Sequence, residues 1–271
     1  MPWLALTLEV SAAQAETLSE ALLEHGAQSV WIEPPGLLHA LLPERSDAAA
    51  ALGLAAAAAG QAAPPFRTHV VADEDWVRAT QAQFGPQCIA GKIWIVPSWH
   101  EAPHGAGVVL RLDPGLAFGT GSHATTRLVL GWLAAANPAG ARVLDYGCGS
   151  GILAIAAAKL GAALVDAVDF DVDALAATGD NARANAVAVR AFAPERLPPG
   201  DYDVVVANIL AQPLLVLEPL LAARTRRGGR IALAGILDAQ AAEMVAAYGH
   251  HFATHVAARE EGWTLIEGMR R

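Results

Sequence analysis

The chain contains few of the residues that build disulfide frameworks or nucleic-acid surfaces. The 271 residues include two cysteines, Cys88 and Cys148. A disulfide framework is therefore not expected, and we expect a cytoplasmic location. Lys and Arg number 18 against 27 Asp and Glu, which gives a net charge of −9. Because phosphate binding needs clustered cations, this balance argues against a nucleic-acid binder and is compatible with a basic protein partner.

Long apolar runs are also missing, although 54% of the residues are hydrophobic. The longest run, 48–59, is mostly alanine, contains Gly53 and is shorter than the roughly 20 residues of a membrane span. The opening segment 1–4 has no basic residues ahead of an apolar stretch, so no secretory signal is expected. We therefore expect no membrane association, and nothing in the composition requires an oligomer or a metal ion.

Residues 1–70 are predicted to form a small α+β domain. Alternating apolar residues and helix-capping residues at Ser11 and Asp47 predict the order strand, helix, strand, strand, helix, strand. This is the ferredoxin-like split arrangement. Residues 71–110 are predicted to connect it to a second domain, with a helix over 73–83 and strands over 93–96 and 108–112.

Residues 111–271 alternate apolar strands with helices, which indicates a parallel sheet covered on both faces. No helix separates the last two strands, so they are predicted to form an antiparallel pair. The predicted strands are 142–145, 164–168, 187–192, 203–207, 230–234, 252–258 and 262–266.

A glycine-rich turn follows the first of these strands. Gly147, Gly149 and Gly151 occupy alternate positions directly before a helix, and the next strand ends at Asp169. Glycines allow a tight turn and a close approach to a ligand, and a carboxylate at that strand end can accept both hydroxyls of a ribose. The spacing is neither G-x-G-x-x-G nor a P-loop. It predicts a nucleotide-type cofactor site.

Asp145 precedes the glycines and favours one kind of cofactor. A carboxylate there repels a pyrophosphate and attracts a cationic amino acid. S-adenosylmethionine has an ammonium, a sulfonium and no phosphate, so it is favoured over NAD. A plain strand-to-helix turn is the alternative.

Three neighbours of the turn have simpler interpretations. Phe170 packs either against an adenine ring or in the core, and the sequence does not choose between them. Asp171 is predicted to cap the helix that follows, and Cys148 to serve as a small residue.

Several segments together resemble a known family, the bacterial methyltransferases of large-subunit ribosomal protein eleven. The resemblance runs from about residue 73 to the end of the chain. It rests on Asp75-Trp76, 93–99 (IWIVPSW), 112–126 (LDPGLAFGTGSHATT), 145–151 (DYGCGSG), 169–171 (DFD) and 204–211 (VVVANILA).

The resemblance implies a fold and an activity. The fold is a seven-stranded, Rossmann-like class I methyltransferase domain preceded by a small domain that recognises the substrate. The activity is transfer of methyl groups from S-adenosylmethionine to lysine side chains and the N-terminal amine of that ribosomal protein, up to the trimethyl state.

The resemblance also implies site residues. Thr126, Gly147, Asp169 and Asn208 are expected to bind the cofactor, and Asn208 is also the expected catalytic residue because its oxygen can accept a bond from the incoming amine. Thr126 as a helix-start residue and Asn208 as a turn former are the structural alternatives. His123 is either a general base or a backbone-bonding residue.

Two other functions are alternatives. Methyltransferases of release-factor glutamines have Asn-Pro-Pro-Tyr after the fourth strand, whereas this chain has Asn208-Ile209-Leu210-Ala211. A non-catalytic S-adenosylmethionine-binding module for ribosome assembly is disfavoured by the intact site residues and remains an alternative.

Overall fold

The computed structural model describes residues 3–33, 36–71, 85–113 and 123–271. The chain divides into two compact units, residues 1–83 and 84–271. The boundary between the units falls inside residues 71–110, the segment that the sequence predicts to connect the two domains. The predicted helix over 73–83 and most of the 112–126 motif (114–122) lie outside the described residues.

The first unit is the predicted ferredoxin-like arrangement. All its strand pairs are antiparallel, and the sheet order is β2-β3-β1-β4. Its elements are β1 (Trp3–Glu9), α1 (Ala12–Glu24), β2 (Ser29–Glu33), β3 (Leu37–Pro43), α2 (Ala48–Ala58) and β4 (Phe66–Val71).

The core of the first unit lies between its sheet and its two helices. Alternate residues of β1 and β3, such as Leu6 and Leu38, are fully buried with Leu22 of α1 and Leu52 of α2. The alanine-rich α2 begins where the Asp47 side chain accepts hydrogen bonds from the backbone at residues 49 and 50. The alanine tract is therefore an ordered helix that buries one face, formed by Ala48, Leu52, Ala55 and Ala56.

The second unit contains the predicted seven-stranded sheet, with strand order β10-β9-β8-β11-β12-β14-β13. Neighbouring strands from β10 to β12 are parallel, and β14 and β13 add antiparallel at one edge. Its elements are β8 (Arg142–Tyr146), β9 (Leu164–Val168), β10 (Arg190–Phe192), β11 (Tyr202–Asn208), β12 (Thr225–Leu237), β13 (Phe252–Glu260) and β14 (Trp263–Arg270), with helices α3 (Ala124–Ala136), α4 (Ile152–Lys159), α5 (Val172–Ala184), α6 (Ala211–Arg224) and α7 (Ala241–Tyr248).

A three-stranded sheet precedes these elements within the second unit. It consists of β5 (Gln87–Ile89), β6 (Ile93–Val96) and β7 (Val108–Arg111), in that order. The sequence predicted β6 and β7 but not β5, which is only three residues long. Helix α3 packs near this sheet, and Ile93 and Leu110 join the core below it.

Two apolar layers cover the faces of the seven-stranded sheet, one built around α3 and α4 and the other around α6 and α7. Adjacent residues of β11, Val205 and Val206, are both fully buried, on opposite faces. This explains why the strands are apolar throughout rather than alternating.

The predicted strand over 187–192 is wrong in its first half, because only Arg190–Phe192 is extended. Ala186 has φ of 54° and Val187 donates its N–H to the Ala182 carbonyl, so the chain is still closing the end of α5 there. In the described part of the chain no helix has the length and apolar character of a membrane span.

Asp166 is the one acid inside the apolar β9, and the fold gives it three donors. Its carboxylate accepts two bonds from the Arg190 guanidinium, at 2.7 and 2.8 Å, and one from the Tyr202 hydroxyl at 2.7 Å. Because Asp166 is fully buried, these bonds compensate for the loss of hydration.

Asp166→Ala is expected to lower the free energy of unfolding by about 3 kcal/mol, since it leaves the buried Tyr202 hydroxyl and the Arg190 cation without an acceptor. The value is at the low end for a broken buried pair because half of the Arg190 side chain is exposed. Urea unfolding measures it. The control Asp180→Ala removes the exposed pair with Arg183 and should cost less than about 0.5 kcal/mol. Equal costs for the two variants would contradict this account.

Candidate cofactor site

The glycine-rich turn lies between β8 and α4, at the carboxyl edge of the parallel strands. Gly147, Gly149 and Gly151 all have positive φ, of 82°, 51° and 78°. The backbone N–H groups of Gly147 and Cys148 donate to the Val168 carbonyl at 2.7 and 3.0 Å. These bonds tie the turn to the end of β9, which is where Asp169 follows.

A cavity of about 440 Å³ opens above the turn. Its wall brings together all four residues that the sequence predicted, Thr126, Gly147, Asp169 and Asn208. They come from four separate stretches of chain that meet where the strands end, as open α/β sheets place their ligands. The other lining residues are His123, Thr125, Cys148, Gly149, Ile152, Leu153, Ile209, Leu210, Pro213, Gly235 and Trp263.

Asp169 is nearly buried and is oriented by two backbone bonds. One carboxylate oxygen accepts the Gly149 N–H at 2.9 Å and the other accepts the Asp171 N–H at 3.1 Å. A carboxylate offers about four acceptor positions, so two remain for a ligand. That capacity matches the two hydroxyls of a ribose.

Thr126 and Asn208 meet on the opposite wall. The Asn208 side-chain nitrogen lies 3.4 Å from the Thr126 hydroxyl. Thr126 is buried in the first turn of α3, and Asn208 ends β11. Among the described residues no donor reaches the Asn208 amide oxygen, which leaves it as an acceptor beside the cavity.

The sequence predicted that the Asp145 carboxylate lies beside the ligand, and this is wrong, because Asp145 is not part of the cavity wall. It is fully buried beneath the turn, and one oxygen accepts the Ala154 N–H at 3.0 Å. Its other oxygen has no partner among the described residues. Burial, reinforced by the nearby Asp169 charge and opposed by the Ala154 bond, raises the pKa of Asp145 to about 7.

His123 caps α3 rather than standing free as a base. Its Nδ1 accepts from the Thr125 N–H at 3.3 Å and lies 2.8 Å from the Thr125 hydroxyl. The Nδ1 atom is therefore engaged at the start of the helix. The ring also contacts Trp263 edge-on, with centroids 5.1 Å apart. The backbone-bonding alternative is thus the one the geometry favours.

The other predicted neighbours are also located. Phe170 is 88% exposed, which excludes the core-packing alternative. Asp171 caps α5, as predicted, by accepting the Asp173 N–H at 2.9 Å. Cys148 is buried, and burial raises the pKa of its thiol, so it remains protonated and unreactive.

Several wall residues were not predicted from the sequence to have a site role, among them Gly235 and Trp263. A Cβ on Gly235 would lie 2.1 Å from the Ile209 carbonyl oxygen, and one on Gly147 would lie 2.3 Å from Ile209 Cγ2. Ile209 therefore fits between two glycines from different strands. A glycine ending the predicted fifth strand was a usable signal for Gly235. No signal pointed to Trp263, which reaches the site from the terminal hairpin.

A smaller recess of about 210 Å³ adjoins the cavity and shares Leu210, Pro213, Gly235 and Trp263 with it. The wall of the recess is mainly apolar. The described residues contain no cluster of side chains suited to holding a metal ion.

The strand order and the glycine turn with Asp169 define a class I S-adenosylmethionine-dependent methyltransferase. A family model described as ribosomal protein L11 methyltransferase (PrmA) matches residues 2–271. The chain belongs to the ribosomal protein L11 methyltransferase family.

Individual relatives agree with that family. Ribosomal protein L11 methyltransferases of Neisseria meningitidis serogroup C and Thiobacillus denitrificans are each 48% identical, and each alignment covers 100% of both chains. A crystal structure of ribosomal protein L11 methylase from Lactobacillus delbrueckii subsp. bulgaricus is 33% identical with a TM-score of 0.63. It covers 69% of this chain and 100% of that one.

The residues present fit S-adenosylmethionine. The unpartnered oxygen of Asp145 places a potential negative charge under the turn, and a cationic ligand above it would favour the ionised form. Asp169 retains acceptor positions for a ribose. The cavity wall is mainly apolar, as adenine and the methionine chain require.

Asp145→Asn is expected to change how stability depends on pH. The folded pKa near 7 lies above the unfolded value of about 3.9, so the native state retains a proton that the unfolded state releases. Wild-type stability should therefore fall as pH rises from about 4 to 7. Asn still accepts the Ala154 bond but does not titrate, so the stability of the variant relative to wild type should rise by up to about 4 kcal/mol as the pH rises from about 4 to above 7.

Urea unfolding of both proteins at several pH values measures this difference. An identical pH dependence for wild type and variant would show that folding does not raise the pKa of Asp145.

Proposed function

We propose that the protein transfers methyl groups from S-adenosylmethionine to ribosomal protein L11, at lysine side chains and the N-terminal amine, up to the trimethyl state. The observation that supports this most strongly is the set of four predicted residues around one cavity, in a chain that matches the family from residue 2 to residue 271. The full-length agreement with relatives named for L11 supports the substrate. We place the reaction in the cytoplasm, where ribosomes work.

Four residues hold the cofactor in this proposal. Asp169 accepts the ribose hydroxyls, the backbone at Gly147 lies against the ligand, and Thr126 with Asn208 binds the methionine end. When bound, S-adenosylmethionine supplies a methyl group on a positively charged sulfur. The protein's contribution is to fix that group and to exclude water around it.

Asn208 is the proposed catalytic residue. Its nitrogen faces Thr126, which leaves its oxygen to accept an N–H bond from the incoming amine and so to aim the nitrogen lone pair. A lysine amine has a reference pKa of about 10.4 and must lose a proton first. The apolar recess beside the cavity favours the neutral amine by desolvation. No strong protein base is needed, which agrees with His123 being a helix cap.

The alternative functions have less support. The chain continues from the end of β11 as Asn208-Ile209-Leu210, and Ile209 lies between Gly147 and Gly235. This segment lacks the two prolines of the enzymes that methylate release-factor glutamines. A non-catalytic role does not explain an acceptor oxygen left open beside the cavity.

The small N-terminal unit is the proposed recognition module for L11. It has its own core, and all the described residues that line the cavity lie in the second unit. The net charge of −9 suits a basic ribosomal protein.

Incubation with labelled S-adenosylmethionine and ribosomal proteins from a strain lacking the enzyme should label L11 alone, and peptide mass spectrometry should locate methyl groups on lysines and the N-terminus.

Asn208→Ala should slow transfer about a hundredfold at saturating cofactor, since the amine loses its alignment. Label on release factors or RNA, or none at all despite cofactor binding, would contradict the proposal.

Removing residues 1–83 should spare cofactor binding and abolish methylation of intact L11. Calorimetry with S-adenosylhomocysteine and the same labelling assay measure the two properties. Full methylation by the shortened chain would refute a recognition role for the first unit.

A further inference from the structure

Helix α5 carries two polar side chains that contact the glycine turn from below. The Thr178 hydroxyl lies 3.0 Å from the Gly149 carbonyl oxygen and 3.3 Å from Cys148 Sγ. One helical turn further on, the Asn181 amide donates to the Ser150 carbonyl at 2.9 Å. Two successive carbonyls of the turn are thus held by one face of α5.

Thr178 is completely buried, and the turn is shaped around it. A Cβ on Gly151 would lie 2.8 Å from its hydroxyl oxygen and 2.9 Å from its methyl group. The third glycine is therefore required by Thr178 as well as by its own positive φ. The hydroxyl has one proton, and the Gly149 carbonyl oxygen is both nearer and a stronger acceptor than Cys148 Sγ.

The Gly149 residue links Thr178 to the ribose-binding carboxylate. Its carbonyl accepts from Thr178, and its N–H donates to Asp169 at 2.9 Å. With both polar groups fixed, the residue holds the Asp169 carboxylate in one orientation. A shift of Gly149 would therefore move an acceptor that the cofactor needs.

We propose that Thr178 and Asn181 are positioning residues, which hold the Gly149 and Ser150 carbonyls and through Gly149 fix Asp169 for cofactor binding. This rests on the proposed function, because it assigns Asp169 to the cofactor. Neither side chain lies on the cavity wall, so both act through the turn.

Thr178→Val retains the shape and removes the hydroxyl. It should weaken binding of S-adenosylmethionine about tenfold, since the buried Gly149 carbonyl loses its partner and the turn relaxes. The loss should appear in the KM for cofactor, with kcat at saturation within about twofold. Thr178→Ser retains the hydroxyl and should bind nearly as wild type. Asn181→Leu should weaken binding about threefold.

Thr225→Val is the matched control. Thr225 is also buried, and its hydroxyl also donates to a backbone carbonyl, that of Leu221 at 2.8 Å, but it lies off the cavity. It should lower the melting temperature about as much as Thr178→Val and leave cofactor binding unchanged.

Hydrogen exchange of residues 147–155 without cofactor gives a readout that does not depend on activity. Exchange there should be faster in Thr178→Val and unchanged in Thr225→Val. Equal cofactor binding and equal exchange in the two variants would overturn the positioning role. If wild type binds no S-adenosylmethionine, the proposed function fails, whereas the exchange comparison still decides whether Thr178 holds the turn.

Discussion

The close approach of neighbouring residues to three glycines at the carboxyl edge of the sheet is the constraint on which the site depends. Gly147 at the end of β8 and Gly235 in β12 both lie where a Cβ would collide with Ile209 after β11. Gly151 likewise makes room for Thr178. These absent side chains let the ends of β8, β11 and β12 and helix α5 pack closely around the turn and the cavity.

Hydrogen bonds from neighbouring groups hold the glycine-rich turn in one conformation. The turn has three positive-φ residues within five, a conformation with little intrinsic preference of its own. Its N–H groups are bound by the Val168 carbonyl and the Asp169 carboxylate, and its carbonyls by Thr178 and Asn181. The acid beneath it, Asp145, is half-compensated and so destabilises the free protein while favouring a cationic ligand. The buried acid thus lowers the stability of the free protein at a position where it favours ligand binding.

Much of this followed from the sequence, because strand ends in a parallel sheet converge whatever the loops do. Asp169 and Asn208 each terminate an apolar strand, so their meeting was predictable. The burial of Asp145 was not, because a carboxylate before a glycine turn can point up to the ligand or down to the helix N-terminus. Trp263 was out of reach for another reason: it depends on how the terminal hairpin pairs with β12, a contact between residues far apart in the chain.

Calorimetric titration of wild type and Asp169→Ala with S-adenosylhomocysteine and with its 2′-deoxyribose analogue tests directly whether Asp169 binds the ribose. If the carboxylate accepts the ribose hydroxyls, loss of the hydroxyl should cost wild type about tenfold in affinity and cost the variant almost nothing. Asp171→Ala, which removes the neighbouring helix cap, should behave as wild type. An equal loss for wild type and Asp169→Ala would show that Asp169 does not bind the ribose, and would contradict the account of the site.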